Sequence, residues 1–369
     1  MIRRAAILAV FSALLPAVPS CGQPSAAPDA GPRSTQPSDR RDGGPHDHPV
    51  VRRSRALMST VYEFVVAEPD SPGLQRAMDD AFAEIARLEG VLSEWRADSE
   101  ISAVNRAAGR APVKVGADVL AVVKAGLAAS AESEGAFDMT WASLHGVWDF
   151  RADPPRIPDR TLIAQRVRKI DYRKVTVDEA ASTVGLGEVG MAIGLGGIAK
   201  GYALDRAAAI LTAAGIRNFV LYGGGQVLVS GRRGGRPWRV GIQNPRGDGY
   251  FAHYEMTSGS ASTSGDYERF FVLDGVRYHH IIDTRPRSPT RGMPARGLVS
   301  VTVIADTGMR ADALSTAIFV SGAEKGMELA RRAGVEAVLV TDGLETLATD
   351  GIRPTLRARP LGDTPLPTN

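Results

Sequence analysis

Cysteine is nearly absent from this chain of 369 residues, in which Cys21 is the only one. A single thiol forms no internal disulfide, and it excludes a zinc site built from paired cysteines. The sequence also has no H-E-x-x-H helix motif and no G-x-S-x-G nucleophile elbow. These absences remove two widespread hydrolase signatures from consideration.

An excess of charge of one sign is lacking as well. The 44 lysines and arginines nearly balance the 41 aspartates and glutamates, which leaves a formal net charge of +3. Acidic and basic residues are intermixed, and no basic block carries interleaved aromatic residues. Because nucleic-acid-binding surfaces are usually basic and clustered, we expect no nucleic-acid partner.

The first 20 residues have the order of features found in a signal peptide. Arg3 and Arg4 precede an apolar stretch, Ala5–Leu15, which is too short for a comfortable membrane span. Cys21 follows small residues in a context that resembles a bacterial lipobox, where the thiol is lipidated and becomes the new N-terminus. We therefore expect a lipoprotein anchored in the cell envelope and facing the periplasm. Since Pro19 is unusual in a lipobox, a simple cleaved signal and a soluble periplasmic protein form the alternative.

Composition divides the rest of the chain into three parts. Residues 22–50 are rich in Pro, Ser, Asp, Gly and Arg, and the last fourteen residues are again rich in Pro. Such segments bury too little apolar surface to offset the entropy lost on ordering. We expect a disordered tether over 21–50, a globular domain over 51–355 and a loose tail over 356–369.

Helix and strand patterns are mixed along the globular part without regular β-α-β alternation. This mixture predicts an α+β fold rather than a doubly wound parallel sheet, with mixed sheets and helices forming a two-lobed unit around a cleft. The clearest helical patterns cover Pro72–Leu92, Val119–Ser133, Arg310–Val320 and Ala323–Ala333. The clearest strand patterns cover Val61–Ala67, Phe219–Val229, Trp238–Ile242 and Gly297–Ala305.

The segment Gly194–Asp205 contains four glycines and Lys200, and it opens an amphipathic helical pattern. The apolar run before the helix, Val189–Leu195, is interpreted as the end of a strand. A glycine-rich strand-to-helix junction directs backbone N–H groups and the helix dipole toward an anion, usually a phosphate. The segment therefore predicts a ligand that carries phosphate, with a helix start that binds nothing as the alternative.

Two familiar phosphate motifs do not fit this segment. Gly194, Gly196 and Ala199 match the G-x-G-x-x-A spacing of a dinucleotide turn, but that motif requires an acid about 20 residues later. The next strand, Phe219–Tyr222, runs into Gly-Gly-Gly-Gln without a carboxylate. Lys200 is also not followed by Ser or Thr, which excludes a P-loop.

Asp312 and Thr316 lie four residues apart on a predicted helix, so their oxygens project from one face. A carboxylate and a hydroxyl suit a hard cation such as Mg²⁺, which often takes few protein ligands. The alternative is a solvated aspartate in the first turn and a threonine hydroxyl that bonds back to its own helix.

Two adjacent histidines, His279 and His280, lie on a predicted strand that ends at Asp283. Neighbouring strand residues point to opposite faces, so only one of the two can line a given site. An imidazole in a cleft suits a general base because it titrates near neutral pH. A structural hydrogen bond is the alternative role.

In this order, the segments resemble the ApbE family, the FAD:protein FMN transferases. The matching segments are Met58–Tyr62, Leu92–Trp95 with Ser99–Asn105, Gly135–Asp138, Gly196–Asp205, Gly223–Gly225, Thr263–Tyr267, His280–Asp283 and Asp312–Thr316. They extend over about residues 55–345, which is nearly the whole globular part.

The resemblance implies that FAD binds in the cleft with Mg²⁺ at its pyrophosphate. A threonine hydroxyl of a partner redox protein then attacks the FMN phosphorus, AMP leaves, and FMN stays linked through a phosphoester. It also implies roles for individual residues: His280 as base; Met58, Trp95, Ala136, Phe137, Asp138, Lys200 and Ile282 at FAD; and the Gly197 main-chain oxygen, Asp312 and Thr316 as metal ligands.

The chain departs from the family pattern at three points. Gly194 and Gln226 stand where the family commonly has acids, and the turn after Asp283 carries Arg285 and Arg287 in place of Pro-Arg-Thr-Gly. These changes leave open an FAD pyrophosphatase that yields FMN and AMP, or a lipoprotein that binds FAD without chemistry.

Overall fold

The computed structural model describes residues 49–361, and within them the α+β prediction is confirmed. The helices are α1 (Pro72–Leu92), α2 (Glu100–Arg106), α3 (Ala117–Glu132), α4 (Arg160–Val167), α5 (Ala199–Ala213), α6 (Gly308–Ser321) and α7 (Ala323–Arg332). The strands are β1 (Val51–Leu57), β2 (Thr60–Val66), β3 (Val113–Lys114), β4 (Val175–Asp178), β5 (Thr183–Leu186), β6 (Phe219–Gly223), β7 (Gln226–Ser230), β8 (Trp238–Gln243), β9 (Tyr250–Met256), β10 (Ser258–Gly265), β11 (Phe270–Leu273), β12 (Val276–His279), β13 (Leu298–Ala305), β14 (Glu336–Thr341), β15 (Thr346–Ala348) and β16 (Arg357–Ala358).

An eight-stranded sheet with the order β1-β2-β6-β7-β10-β13-β14-β15 forms the centre of the fold. Its strand pairs are antiparallel, as are those of three smaller sheets, β11-β12, β16-β9-β8 and β3-β5-β4. Since antiparallel strands need no helical crossover, helices and hairpins follow one another irregularly along the sequence. This explains why the sequence lacks regular β-α-β alternation.

Both faces of the central sheet are covered, and alternate residues go to different cores. On β2, Phe64 and Val66 join the helix-side core, whereas Val65 joins the core shared with the β16-β9-β8 sheet. Strand β14 alternates in the same way, with Leu339 on one side and Val338 on the other. Near-continuous hydrophobic strands are the sequence signature of a sheet buried on both faces.

The α5 and α6 helices cross at a very short distance, and this contact positions the candidate site. A Cβ atom added to Gly201 would lie 2.0 Å from the carbonyl oxygen of Gly308, so only glycine fits there. One carboxylate, Asp205, fixes the crossing by accepting the N–H groups of Gly308 (2.6 Å) and Met309 (2.9 Å). This carboxylate also meets the positive end of the α6 dipole. The crossing brings the start of α5 against the middle of α6.

The interpretation of Val189–Leu195 as a strand end is wrong. Strand β5 ends at Leu186, and the run crosses the protein as an irregular segment until α5 begins. Its backbone groups find other partners: Asn105 donates to the Ile193 carbonyl (2.9 Å) and accepts from the Ile193 N–H (2.7 Å). Since a side-chain amide supplies both hydrogen bonds, the apolar run needs no neighbouring strand.

The single strand pattern over Phe219–Val229 also divides into two strands, β6 and β7. Gly224 (φ 56°) and Gly225 (φ 85°) form the tight turn between them, which glycine adopts at little steric cost. At the other end of the chain, β16 pairs with β9, so regular structure continues past residue 355, where the sequence predicted the loose tail to begin.

The predicted signal segment 1–20, Cys21 and the tether up to residue 48 lie outside the described residues, as does 362–369. Within 49–361, no helix has the length and hydrophobicity needed to cross a bilayer.

Candidate active site

Asp312 and Lys200 meet at the α5–α6 crossing. Lys200 Nζ lies 3.5 Å from Asp312 Oδ2, and the same oxygen accepts the Gly201 N–H at 3.1 Å. Burial raises the pKa of Asp312 above its ordinary value, although the Lys200 charge and the Gly201 hydrogen bond oppose the shift. A buried carboxylate next to a single cation is therefore the electrostatic centre of the site.

Thr316 lies one turn after Asp312 and faces the glycine-rich segment. A Cβ atom added to Gly197 would lie 3.3 Å from Thr316 Oγ1 and 3.3 Å from the Phe137 ring. In a regular helix the Gly201 N–H would bond to the main-chain oxygen of Gly197, four residues earlier. Here it bonds to Asp312 instead, so the Gly197 oxygen keeps its lone pairs for another partner. The structure thus places Gly197 beside Thr316, and Asp312 lies one turn earlier on the same side of α6. We call these three residues and Lys200 the metal end of the site.

The donor set of the metal end fits Mg²⁺. Within residues 49–361, no group of three or more His, Cys, Asp or Glu side chains forms a conventional metal cluster. Magnesium is commonly held by one or two carboxylates, with water and substrate phosphates completing its shell. One buried carboxylate, one half-buried hydroxyl and one main-chain carbonyl satisfy that requirement, and the glycine leaves space for an ion.

The two histidines have separate roles. His279 is buried, with Nε2 2.8 Å from the Ala295 carbonyl oxygen and its ring edge-on to Phe319. His280 follows the end of β12 and donates its backbone N–H to the Arg269 carbonyl (3.1 Å), but its buried Nδ1 has no partner among the described residues. The structural role thus falls to His279, and His280 keeps an imidazole available for chemistry.

Burial lowers the pKa of His280 to about 3, and the nearby charges of Arg269 and Lys200 act in the same direction. The imidazole is therefore neutral at physiological pH. A neutral imidazole can accept a proton, which a charged one cannot.

The predicted FAD-binding residues fall into different environments. Met58 lies in the β1–β2 turn with a positive φ of 49°, and its sulfur accepts the Tyr62 hydroxyl at 3.2 Å. Ala136 is buried, and its carbonyl accepts the Thr284 hydroxyl at 2.9 Å. Ile282 is buried in a small third cluster with Leu144.

Asp138 is engaged by the protein itself. Its Oδ1 accepts the N–H (2.8 Å) and hydroxyl (2.6 Å) of Thr140, and Oδ2 accepts the Tyr172 N–H (3.0 Å). Burial raises the pKa of Asp138 against these hydrogen bonds. In this arrangement the carboxylate fixes the loop that contains Phe137.

Trp95 forms the exposed part of the site, with 71% of its surface accessible. One ring face stacks on His145 at a centroid distance of 4.5 Å, and the Trp141 ring meets His145 edge-on at 5.1 Å. Trp141 in turn donates Nε1–H to the Gly194 carbonyl at 3.2 Å. We call Trp95, His145 and Trp141 the aromatic shelf.

A cavity of about 400 Å³ opens beside the shelf. Its polar lining includes Glu94, Asn105, Arg106 and Arg166. Burial raises the pKa of Glu94, while the Leu195 N–H and the charges of Lys200 and Arg269 oppose that shift. Glu94 thus lies between the shelf and the metal end.

Sequence reasoning missed Glu94, His145 and Arg269. Glu94 could have been predicted, because it directly precedes Trp95 in a segment that matches the family pattern. No spacing indicated His145, because its relation to Trp95 arises only from the fold.

Two of the departures from the family pattern have a structural explanation. Burial would raise the pKa of Asp283, but hydrogen bonds from Arg285, Ser288 and Thr290 outweigh it and hold the pKa low. Arg285 is therefore neutralised by Asp283 at 2.8 Å, and of the two arginines only Arg287 adds free charge.

A side chain at Gly194 would fit tightly, because a Cβ there would lie 3.1 Å from the Trp141 ring and 3.0 Å from the Ala142 Cβ. The indole of Trp141 thus occupies the space next to Gly194.

Comparison with known proteins identifies the family of the chain. The model of the ApbE family matches residues 58–339. The FAD:protein FMN transferase of Treponema pallidum is 35% identical over 75% of this chain and 80% of its own length. That of Vibrio cholerae is 33% identical over 83% of this chain and 92% of its own.

Two solved structures share the fold. The ApbE protein of Thermotoga maritima superposes with a TM-score of 0.76 at 32% identity, covering 84% of this chain and all of its own. The flavin transferase ApbE of Vibrio cholerae gives 0.73 at 30% identity, covering 83% of this chain and all of its own. The family model, the relatives and the shared fold place this chain in the ApbE family.

Proposed function

We propose that this protein transfers FMN from FAD to a threonine hydroxyl of a partner redox protein, in a reaction that depends on Mg²⁺. The relatives that cover most of the chain are named FAD:protein FMN transferases. The observation that carries the proposal is the metal end, where Asp312, Thr316, Gly197 and Lys200 meet at the start of α5. A helix N-terminus with a lysine and an oxygen-rich cation site suits a pyrophosphate.

Asp312, Thr316 and the Gly197 carbonyl would hold the metal ion. When bound, Mg²⁺ neutralises negative charge on the phosphate oxygens of the dinucleotide. Lys200 adds a second positive charge on the same side, because its ammonium group lies at the mouth of the buried carboxylate. A low-dielectric surrounding makes both charges more effective than they are in water.

His280 acts on the incoming hydroxyl. The threonine oxygen forms a bond to the FMN phosphorus, the bond from that phosphorus to the AMP oxygen breaks, and AMP takes the electron pair. The threonine proton goes to the neutral imidazole of His280 and from there to solvent. Because the ring is uncharged at neutral pH, its lone pair can take this proton.

The remaining residues bind and orient the dinucleotide. Met58, Ala136, Phe137, Asp138 and Ile282 would help to orient the dinucleotide, and Trp95 offers an exposed ring face on which a planar heterocycle would stack. Holding FAD at both its pyrophosphate and a ring restricts it to one orientation, which lowers the entropic part of the barrier.

The test of this function uses FAD, Mg²⁺ and an acceptor protein with an exposed threonine. We expect the acceptor to gain the mass of FMN less one water molecule, with AMP released in equal amount. Free FMN and AMP without an adduct would instead identify an FAD pyrophosphatase. Bound but intact FAD would leave only an FAD-binding protein, and both of these results contradict the proposal.

We also propose that the protein is exported and carries a lipid on Cys21, which holds it at a membrane of the cell envelope. The support is the order of basic, apolar and small residues before that cysteine. Mass spectrometry of the mature N-terminus tests this. An unmodified terminus that lacks Cys21 would indicate a soluble periplasmic protein.

A further inference from the structure

A continuous chain of buried polar groups runs behind the metal end. Gln226 Nε2 donates to Ser262 Oγ at 2.7 Å, and Ser262 Oγ lies 3.1 Å from Ser315 Oγ. Ser315 Oγ lies 2.9 Å from Ser264 Oγ, which is 3.4 Å from Thr316 Oγ1. We call Gln226, Ser262, Ser315 and Ser264 the hydroxyl network.

The fold brings these groups together from three elements. Ser262 and Ser264 are alternate residues of β10, so they share the sheet face on which α6 packs. Gln226 begins β7 directly opposite Ser262. Ser315 lies on α6 next to Thr316, and it is fully buried.

The direction of each hydrogen bond follows from counting protons. A hydroxyl has one donor and two acceptor sites. Ser315 donates its proton to the Asp312 main-chain carbonyl at 2.9 Å, so its oxygen can only accept from Ser262 and Ser264. Ser262, having donated, accepts from the Gln226 amide.

The same counting determines the state of Thr316. Ser264 donates to Ser315 and therefore can only accept from Thr316. In this pattern the Thr316 hydroxyl donates to Ser264 and keeps its lone pairs for another partner, and Gly197 lies beside it, since its added Cβ would be 3.3 Å from Oγ1. This is the orientation that a hydroxyl needs to bind a cation.

A second observation that points to a ligand is found at Gln226, the last member of the network counted from Thr316. Gln226 is 1% exposed, and its Oε1 has no partner among the described residues. A buried carbonyl without a hydrogen-bond donor destabilises the folded protein. The amide of Gln226 also interacts with the Asp312 carboxyl, so the unpaired oxygen lies near the metal end.

We propose that the hydroxyl network is a positioning device that orients the Thr316 hydroxyl and the Asp312 segment and thereby sets the affinity of the site for Mg²⁺. This inference rests on the proposed function, because it requires that the metal end binds the ion. The network acts through Thr316 and Asp312, as the outer hydrogen bonds of a metal site do.

The test is Mg²⁺ binding to the full chain, measured by calorimetry without FAD. We expect Ser315→Ala to weaken binding about tenfold, which is the lower range for loss of an outer-shell partner. Transfer activity of this variant should recover at high Mg²⁺, with the KM for FAD unchanged once Mg²⁺ is saturating. Ser264→Ala, at a half-buried position, should weaken binding less and serves if Ser315→Ala does not fold.

Ser260→Ala is the matched control. Ser260 lies on the same strand and is fully buried, but its hydroxyl donates to the Val227 carbonyl (2.8 Å), outside the network. It should lose comparable stability and keep the wild-type affinity for Mg²⁺.

Two results would overturn the inference, and they are distinguishable. If wild type binds Mg²⁺ and both network variants bind within twofold of it, the network is only structural, and the proposed function stands. If wild type binds no Mg²⁺ even with FAD present, the metal assignment of the proposed function fails with it.

Discussion

The metal end and the aromatic shelf belong to the same candidate site but are built in opposite ways. The metal end lies at a helix crossing so close that only glycine fits, and its Asp312 is 4% exposed. The shelf lies on a short connection after α1 and at a short 3₁₀ helix, Met139–Leu144, and its Trp95 is 71% exposed.

This difference separates chemistry from recognition. Charged groups interact strongly in a buried site, and tight packing holds them in place. This suits the phosphorus atom at which the reaction occurs. A stacked ring at the surface contributes about 0.5–1.5 kcal/mol and tolerates small shifts. We therefore expect substitutions at the metal end to reduce turnover and those at the shelf to weaken FAD binding.

The largest effect should come from Asp312→Asn. The substitution keeps the shape of the side chain but removes the charge that faces Lys200, so transfer should fall about a thousandfold. AMP release at saturating FAD measures it. Asp306→Asn, at an exposed position two residues before α6, should be fully active. Full activity in Asp312→Asn would remove this residue from the metal site.

His280→Gln should reduce turnover about a hundredfold, the lower range for loss of a general base, with little change in the KM for FAD. The pKa of His280 in the folded protein, about 3, lies below the ordinary value of 6.5. Its contribution to stability is therefore fully present above pH 6.5 and is lost as the pH falls toward 3.

Urea unfolding checks this sign. From pH 6.5 downward, wild type should lose stability relative to His280→Gln by no more than about 1.4 kcal/mol per pH unit. Equal pH dependence of the two proteins would show that the ring is not buried in neutral form.

Gly201→Ala tests whether the helix crossing holds the metal end in place. The added methyl meets Gly308, and overpacking of this kind costs about 1–3 kcal/mol of the free energy of unfolding. Mg²⁺ affinity should fall with it. Gly90→Ala in α1, where a Cβ meets no atom within 4 Å, should instead stabilise the protein by about 0.5–1 kcal/mol. Unchanged Mg²⁺ binding in Gly201→Ala would show that the crossing does not position the site.

Trp95→Ala should raise the KM for FAD about tenfold and leave kcat nearly unchanged, since stacking is lost in ground state and transition state alike. Trp95→Phe keeps an aromatic face and should recover most of the affinity. A fall in kcat as large as that of His280→Gln would mean that the shelf takes part in the chemistry, and the comparison above would not hold.

The same division explains which features the sequence predicts. Asp312, Thr316 and Lys200 are readable because helical spacing and a glycine-rich helix start are local patterns. Strand alternation places His279 and His280 on opposite faces, but it does not show which of them has the structural role. The Ala295 carbonyl that engages His279 is distant in sequence. The α+β class follows from the order of elements.

Features that depend on long-range contacts escape local patterns. His145 lies 50 residues from Trp95, and the irregular run before α5 depends on Asn105, which is 88 residues away from Ile193. Hydropathy carries no trace of either contact. The hydroxyl network is hidden for the same reason, because serines on β10 and α6 look like ordinary polar residues until the two elements are packed together.

The smallest expected effect tests how the shelf is connected to the glycine-rich segment. In Gly194→Ala the new methyl lies 3.1 Å from the Trp141 ring and must displace it, and Trp141 contacts His145, which supports Trp95. The KM for FAD should rise about threefold, within the range of one weakened aromatic contact. In the Trp141→Phe background, which shortens the ring at the point of contact, the same substitution should have little further effect. The coupling between contacting residues then appears as non-additivity in a double-mutant cycle, measured by titration with FAD. Additive effects would show that Gly194 and Trp141 act on FAD separately, and that the shelf is a surface feature with no connection to the glycine-rich segment.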